Sequence, residues 1–171
     1  MGYRTKTYIA ADWTGDKDAV DILYKWNESE KWGLSFSDAH EVTQANDNSL
    51  KCSIKASLKT RMDVSKTFVL IVGSGTKTLT NGSCRYCNSY NSYTKSCSRG
   101  HSVDYRSFIE YECDMAIKAG IKIVVLYNSI KVDKSRCIDA VKNIGVHAPM
   151  QKYKDGKYYW DYQSVKDAMD S

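Results

Sequence analysis

The sequence predicts an α/β domain of the doubly wound, flavodoxin-like three-layer kind, with a central parallel sheet and helices on both faces. Three observations carry that expectation. Short apolar runs alternate with amphipathic helical patterns, the arrangement that gives a parallel sheet wrapped by helices. Two runs, Thr67–Val72 and Ile121–Tyr127, are nearly continuous in apolar residues, as strands buried on both faces must be. The 171 residues, 42% hydrophobic and 26% charged, suit a single domain from 1 to 171 with a core of its own.

The elements follow in order. Thr7–Ala11 is a short apolar strand that runs into the turn and cap residues Asp12-Trp13-Thr14-Gly15-Asp16. From Lys17 onward, Ala19, Ile22, Leu23 and Trp26 form one apolar stripe of a helix that frays at Asn27-Glu28-Ser29. Leu34–Ser37 alternates as a second strand ending at Asp38, and a polar stretch, Ala39 to Asn48, crosses to the next helix. There Leu50, Ile54, Leu58 and Met62 recur every four residues, with Ser49 as cap. The strand Thr67–Val72 stops at Gly73-Ser74-Gly75-Thr76. Tyr105 to Ala119 is a third helix closed by Gly120. Ile121–Tyr127 is the next strand, Lys134 to Ile144 (Cys137, Ile138, Val141) a fourth helix, Lys154-Asp155-Gly156-Lys157 a hairpin turn, and Ser164 to Met169 a closing helix. Right-handed crossovers and short connections then favour strand order 2-1-3-4-5.

Composition excludes several classes. No apolar run approaches the roughly 20 residues that span a bilayer, and the first residues are too short in apolar content for a signal-peptide core. A cytoplasmic protein with no membrane partner is expected. The formal charge of +5 is spread over single Lys and Arg residues, so nucleic acid is not expected as a partner.

In such sheets ligands lie at the carboxyl ends of the strands where the order reverses. Asp12 and Trp13 follow the first strand, Asp38 the second, and Gly73 and Ser74 the third, so all are candidates by position, with a turn role fitting each equally well. Amides of the Gly73–Thr76 loop could hold phosphate, although Gly and Ser also simply end strands. Phe108 and Glu112, four apart on the third helix, share a face that points into the same crevice. A glutamate there can bind ribose hydroxyls or steady positive charge, the alternative being a solvated or ion-paired side chain. Glu110 faces elsewhere and serves as the control position. His40 and His147 have no partner motif, and a surface or capping role is expected for each.

A Cys-rich insertion runs from about residue 79 to 103. Within it Cys84, Cys87, Cys97 and His101 spell C-x2-C-x9-C-x3-H, a tetrahedral set suited to a structural zinc. The loop is too polar to order itself by core burial, so a metal would account for it; the alternative is a flexible Tyr/Ser-rich loop with incidental thiols.

Several segments resemble the TIR-like domains of bacterial Thoeris antiphage defence. They are Lys6–Asp12, Ser65–Thr76 with its "VGSGT" ending, and above all Arg106-Ser107-Phe108-Ile109-Glu110-Tyr111-Glu112 followed by Ala116–Val124. The similarity covers roughly residues 5 to 130. The resemblance implies an NAD+ glycohydrolase or cyclase that cleaves the nicotinamide–ribose bond, with Glu112 as catalytic residue and NAD+ as substrate. It also implies an ADP-ribose-type signalling nucleotide read by a downstream effector, and self-association on activation. The same fold used as a non-catalytic interaction or assembly module is the alternative. Phe108 stands where many relatives have Trp, and simpler TIR domains have a short loop in place of the insertion.

Overall fold

The computed structural model describes residues 3–41 and 50–171; the expected cap Ser49 lies outside them. Its centre is a parallel sheet of four strands in the order β1 (Lys6–Ala10), β2 (Ser65–Val72), β5 (Lys122–Tyr127) and β6 (Val146–Pro149). The register runs Tyr8, Phe68, Ile123 across the first three. Because successive strand residues point to opposite faces, the apolar runs divide cleanly. Tyr8, Ala10, Phe68, Leu70, Val72 and Val125 lie under α2 (Lys51–Asp63) and α3 (Phe108–Ala119). Ile9, Val69, Ile71, Val124 and Leu126 lie under α1 (Lys17–Glu28) and α4 (Tyr162–Asp170). The doubly wound parallel architecture is therefore as the alternation predicts.

Where the expected second strand should flank β1, only one parallel bridge forms, Thr7 to Asp38, with Thr7 N donating to Ser37 O at 2.7 Å. The segment keeps its place at the sheet edge but not its regular form. Ser35 has φ 49°, outside the extended region, and the Asn27 side chain takes both the N–H and the C=O of Phe36 (2.6 and 2.9 Å). Those backbone groups are then spent on a side chain rather than on a ladder.

The expected fourth helix, Lys134 to Ile144, is instead a 3-10 turn at Lys134–Arg136 followed by further turns. Val141 N bonds Ile138 O and Ile144 N bonds Val141 O, three residues back rather than four. Cys137, Ile138 and Val141 are buried regardless, so tight turns seat the same apolar residues that suggested a helix. The expected hairpin is present, β7 (Gln151–Lys154) paired with β8 (Lys157–Trp160). Its two turn residues, Asp155 and Gly156, have φ 50° and 78°, the positive angles that such a two-residue turn requires.

The insertion orders itself without a large core. It contains a 3-10 turn at Cys84–Tyr86 and a small hairpin of β3 (Tyr90–Asn91) and β4 (Ser96–Cys97). Its two ends are tied together where Cys84 N donates to Asp104 O (2.9 Å) and Asp104 N to Cys84 Sγ (3.3 Å). Arg85 stacks over Tyr105, 4.7 Å from the ring centre.

Helix α3 starts three residues later than the periodicity suggests, because Ser107 caps it. Ser107 Oγ accepts from Glu110 N (3.2 Å) and Glu110 Oε2 accepts from Ser107 N (2.8 Å), a complete capping box. Glu110 is thus no neutral control, since its carboxylate fixes the origin of the helix that carries Glu112. Replacing Ser107 by Ala is expected to lower unfolding stability by about 1 kcal/mol, measured by urea denaturation. An unchanged midpoint would mean that the box does not hold the helix start.

Candidate functional site

A pocket of about 400 Å³ opens at the carboxyl end of β1, between α2 and α3. Five parts of the chain build it. Ala11, Asp12 and Trp13 come from the end of β1; Ile54, Leu58 and Arg61 from α2; Leu79 and Asn81 from the root of the insertion; Phe108, Ile109 and Glu112 from α3. His40 completes the wall.

Glu112 leaves α3 one turn after Phe108 and is only 8% exposed. Loss of hydration disfavours its charged form and pushes its pKa up to about 8, while the Tyr8 phenol and the Arg61 guanidinium pull it partly back. The carboxyl is therefore largely protonated at neutral pH. Tyr8 reaches it from β1 because strand parity turns that residue toward α2 and α3. Arg61, 7% exposed, comes from the apolar stripe of α2, seven residues after Ile54 and three after Leu58.

The aromatic wall is linked ring to ring. The Trp13 indole, 44% exposed, meets His40 edge-on at 4.9 Å, and His40 in turn lies 5.8 Å from Tyr8. Asp38 anchors His40: its Oδ1 takes both the His40 backbone N–H (3.0 Å) and Nδ1 (2.9 Å), and its Oδ2 accepts from Tyr24 Oη (2.5 Å). Burial raises the Asp38 pKa, but these hydrogen bonds outweigh it and hold the carboxylate below its usual range. Asp38 thus stands behind the pocket wall, beside a separate groove along the outer edge of β1.

Phe108 is seated by the insertion. Its N–H donates to Asn81 O (2.8 Å), and Gly82, at φ 100°, lies so close that a Cβ there would stand 2.5 Å from the Phe108 ring. The chain leading into α3 is held by charge. Lys55, buried on α2, donates to Arg106 O (2.8 Å) and pairs with Asp104 (3.3 Å), while Arg106 bridges Asp104 (2.8 Å) and Asp114 (2.9 Å). Burial raises the Asp104 pKa, yet the Arg106 hydrogen bonds and the Lys55 charge dominate and bring it to about 2.

The positional candidates separate. Asp12, Trp13, Phe108 and Glu112 line the pocket, whereas Gly73 and Ser74 do not. Gly73 N donates to Thr76 Oγ1 (2.8 Å), and a Cβ on Gly73 would overlap the Asp16 carboxyl, 2.0 Å from its Oδ1. That loop packs on the start of α1 instead of cradling a ligand beside Glu112. Cys84, Cys87, Cys97 and His101 are not gathered, and no group of three or more His, Cys, Asp or Glu among the described residues is placed to hold a metal. All three thiols of the insertion are free and half-buried. The set does not fit a zinc ion in this arrangement.

His40, expected to have a surface or capping role, lines the pocket, as do Arg61 and Asn81, which the sequence reading passed over. Arg61 had a signal, a cation on an otherwise apolar helix face; His40 had one too, two residues after a carboxylate.

Residues 8–81 match the family model of the Thoeris protein ThsB, TIR-like domain. The TIR-like match bears out the resemblance seen in the sequence, and it takes in most of β1 and all of α1, α2 and β2. It includes Tyr8, Asp12, Trp13, His40, Arg61 and Asn81, and it ends before the α3 residues Phe108 and Glu112. No curated protein matches the chain. Among the described residues no helix is long and apolar enough to cross a membrane.

The raised pKa of Glu112 sets a pH dependence for stability. Its carboxyl ordinarily titrates near 4.5 and here near 8, so between those values the folded state keeps a proton that the unfolded state has lost. Stability therefore falls as pH rises from 4.5 to 8 and levels off above that. Glu112→Gln is expected to flatten the fall and to melt higher than wild type at pH 8.5. Parallel melting curves for the two proteins across this window would contradict the burial.

Proposed function

We propose that this pocket cleaves NAD+ at the nicotinamide–ribose bond, with Glu112 as the catalytic residue. The observation that carries the reading is the buried Glu112 carboxyl facing Tyr8 and Arg61 in a cleft walled by Trp13 and Phe108. The Thoeris TIR-like match of the first half of the chain supports it.

The chemistry needs few groups. The nicotinamide ring carries a formal positive charge while attached to ribose, so that ring entering beside Glu112 favours the carboxylate form and drives its proton out. The C1′–N bond then breaks with its electron pair passing to the nicotinamide nitrogen. Nicotinamide leaves neutral and needs no general acid, unlike the leaving groups of ordinary glycosidases. The positive charge moves to the ribosyl carbon and ring oxygen, where a carboxylate in a water-poor site steadies it. Water adding at C1′ and losing a proton yields ADP-ribose; a nucleophilic atom of the same nucleotide doing so yields a cyclic isomer. The Trp13 and Phe108 rings flank the opening and offer flat apolar surfaces to the nicotinamide and ribose.

In this reading the product is a nucleotide messenger of antiviral defence, read by a separate effector, and turnover follows self-association. The test is nicotinamide release from NAD+, followed by chromatography over a range of protein concentrations. Glu112→Gln is expected to lower the rate by about 100-fold or more, while Asp139→Ala, at an exposed ion pair with Lys77, leaves it unchanged. Release at the wild-type rate from Glu112→Gln would overturn the assignment.

A further inference from the structure

Among the described residues on this side of the sheet, Tyr8 Oη and Glu112 Oε2 are buried with no hydrogen-bond partner of full geometry. The two side chains lie close enough for each to shift the other's ionisation. Buried polar atoms are nearly always paired in folded proteins, so two neighbours left short of a full hydrogen bond call for a state in which they are satisfied.

The two side chains differ in freedom. Tyr8 is fully buried in the strand next to the sheet edge, its ring 5.8 Å from both His40 and Phe68. Its hydroxyl is a fixed point. Glu112 lines the pocket on a longer side chain with more rotatable bonds. The charged and titratable groups around it are Tyr8 from β1, Arg61 from α2, His40 from the 3-10 turn after Asp38, and Asp12 from the end of β1. Of these, the phenol is an uncharged donor, and it keeps its proton because burial and the nearby carboxyl both oppose its ionisation.

We propose that Tyr8 is a positioning residue for Glu112, its hydroxyl donating a hydrogen bond to the carboxylate once Glu112 ionises and so fixing the carboxylate's direction in the pocket. A neutral carboxyl is a weak acceptor and a carboxylate a strong one, which fits a phenol left without a full hydrogen bond beside a protonated Glu112. Strand parity makes the device possible, since a shift of one residue along β1 would send the phenol to the opposite face of the sheet. The role in turnover rests on the NAD+-cleaving reading above, whereas the pairing itself does not.

The experiment separates the two. The Glu112 carboxyl is titrated by carbon-13 NMR in protein labelled at glutamate, with no substrate present, in wild type, in Tyr8→Phe and with 3,5-difluorotyrosine at position 8. Loss of the donor is expected to raise the Glu112 titration midpoint by about one pH unit, and the stronger fluorinated donor to lower it. Nicotinamide release by Tyr8→Phe is expected to fall about tenfold in kcat with KM little changed, its rising pH limb moving in step with the titration. Opposite shifts in the two variants support the pairing even where no nicotinamide is released, and that outcome would count against the NAD+ reading alone. An unmoved midpoint in both variants overturns the inference, whatever the turnover. The fluorinated variant keeps the ring volume, so it decides the matter if Tyr8→Phe fails to fold.

Discussion

The Glu112 carboxyl is kept from water, and the rest of the site follows from that one constraint. A carboxylate resists burial because protein cannot replace its hydration cheaply. Here the penalty is met by partial neutralisation. The group holds its proton at neutral pH, a buried cation on α2 stands near it, and a phenol on β1 faces it. Such a group responds strongly to any positive charge that enters beside it or develops there as a bond breaks.

Two parts of the fold hold the constraint in place. The alternation of side chains along β1 and β2 assigns Tyr8 and Phe68 to one face and Ile9 and Val69 to the other, so the phenol meets α2 and α3 by geometry alone. The insertion then fixes where α3 begins. Asn81 and Gly82 seat Phe108, the capping box winds the first turn, and the Lys55–Asp104–Arg106–Asp114 network ties the preceding segment to both helices. The Cys-rich segment is thus part of the pocket's frame rather than a decoration on it.

The architecture was legible in the sequence because burial on both faces leaves an unmistakable mark, as in Phe68–Val72 and Ile123–Tyr127. The same logic fails where a side chain competes with the backbone, as Asn27 does for Phe36, or where tight turns bury the apolar residues a helix would, as Cys137, Ile138 and Val141 do. The position of Glu112 in the crevice followed from helix spacing after a strand. The partners Tyr8 and Arg61 did not: Tyr8 is simply a member of an apolar strand, Arg61 stands out only as a cation on an apolar helix face, and only the crossing of β1 under α2 and α3 brings them together. The Cys/His spacing suggested a metal, but spacing constrains distance along the chain and not the direction in which side chains point. Asp38 was singled out for being at a strand end, and its actual work is to orient the neighbouring His40.

The most direct test of the account is a crystal structure with carba-NAD+, whose ribose ring oxygen is replaced by carbon so that the glycosidic bond survives. The account predicts the nicotinamide between Trp13 and Phe108, with the carbocyclic ring against Glu112. The analogue lying instead in the groove along the outer edge of β1, beside Phe36 and Lys66, with the Glu112 pocket empty, would contradict it.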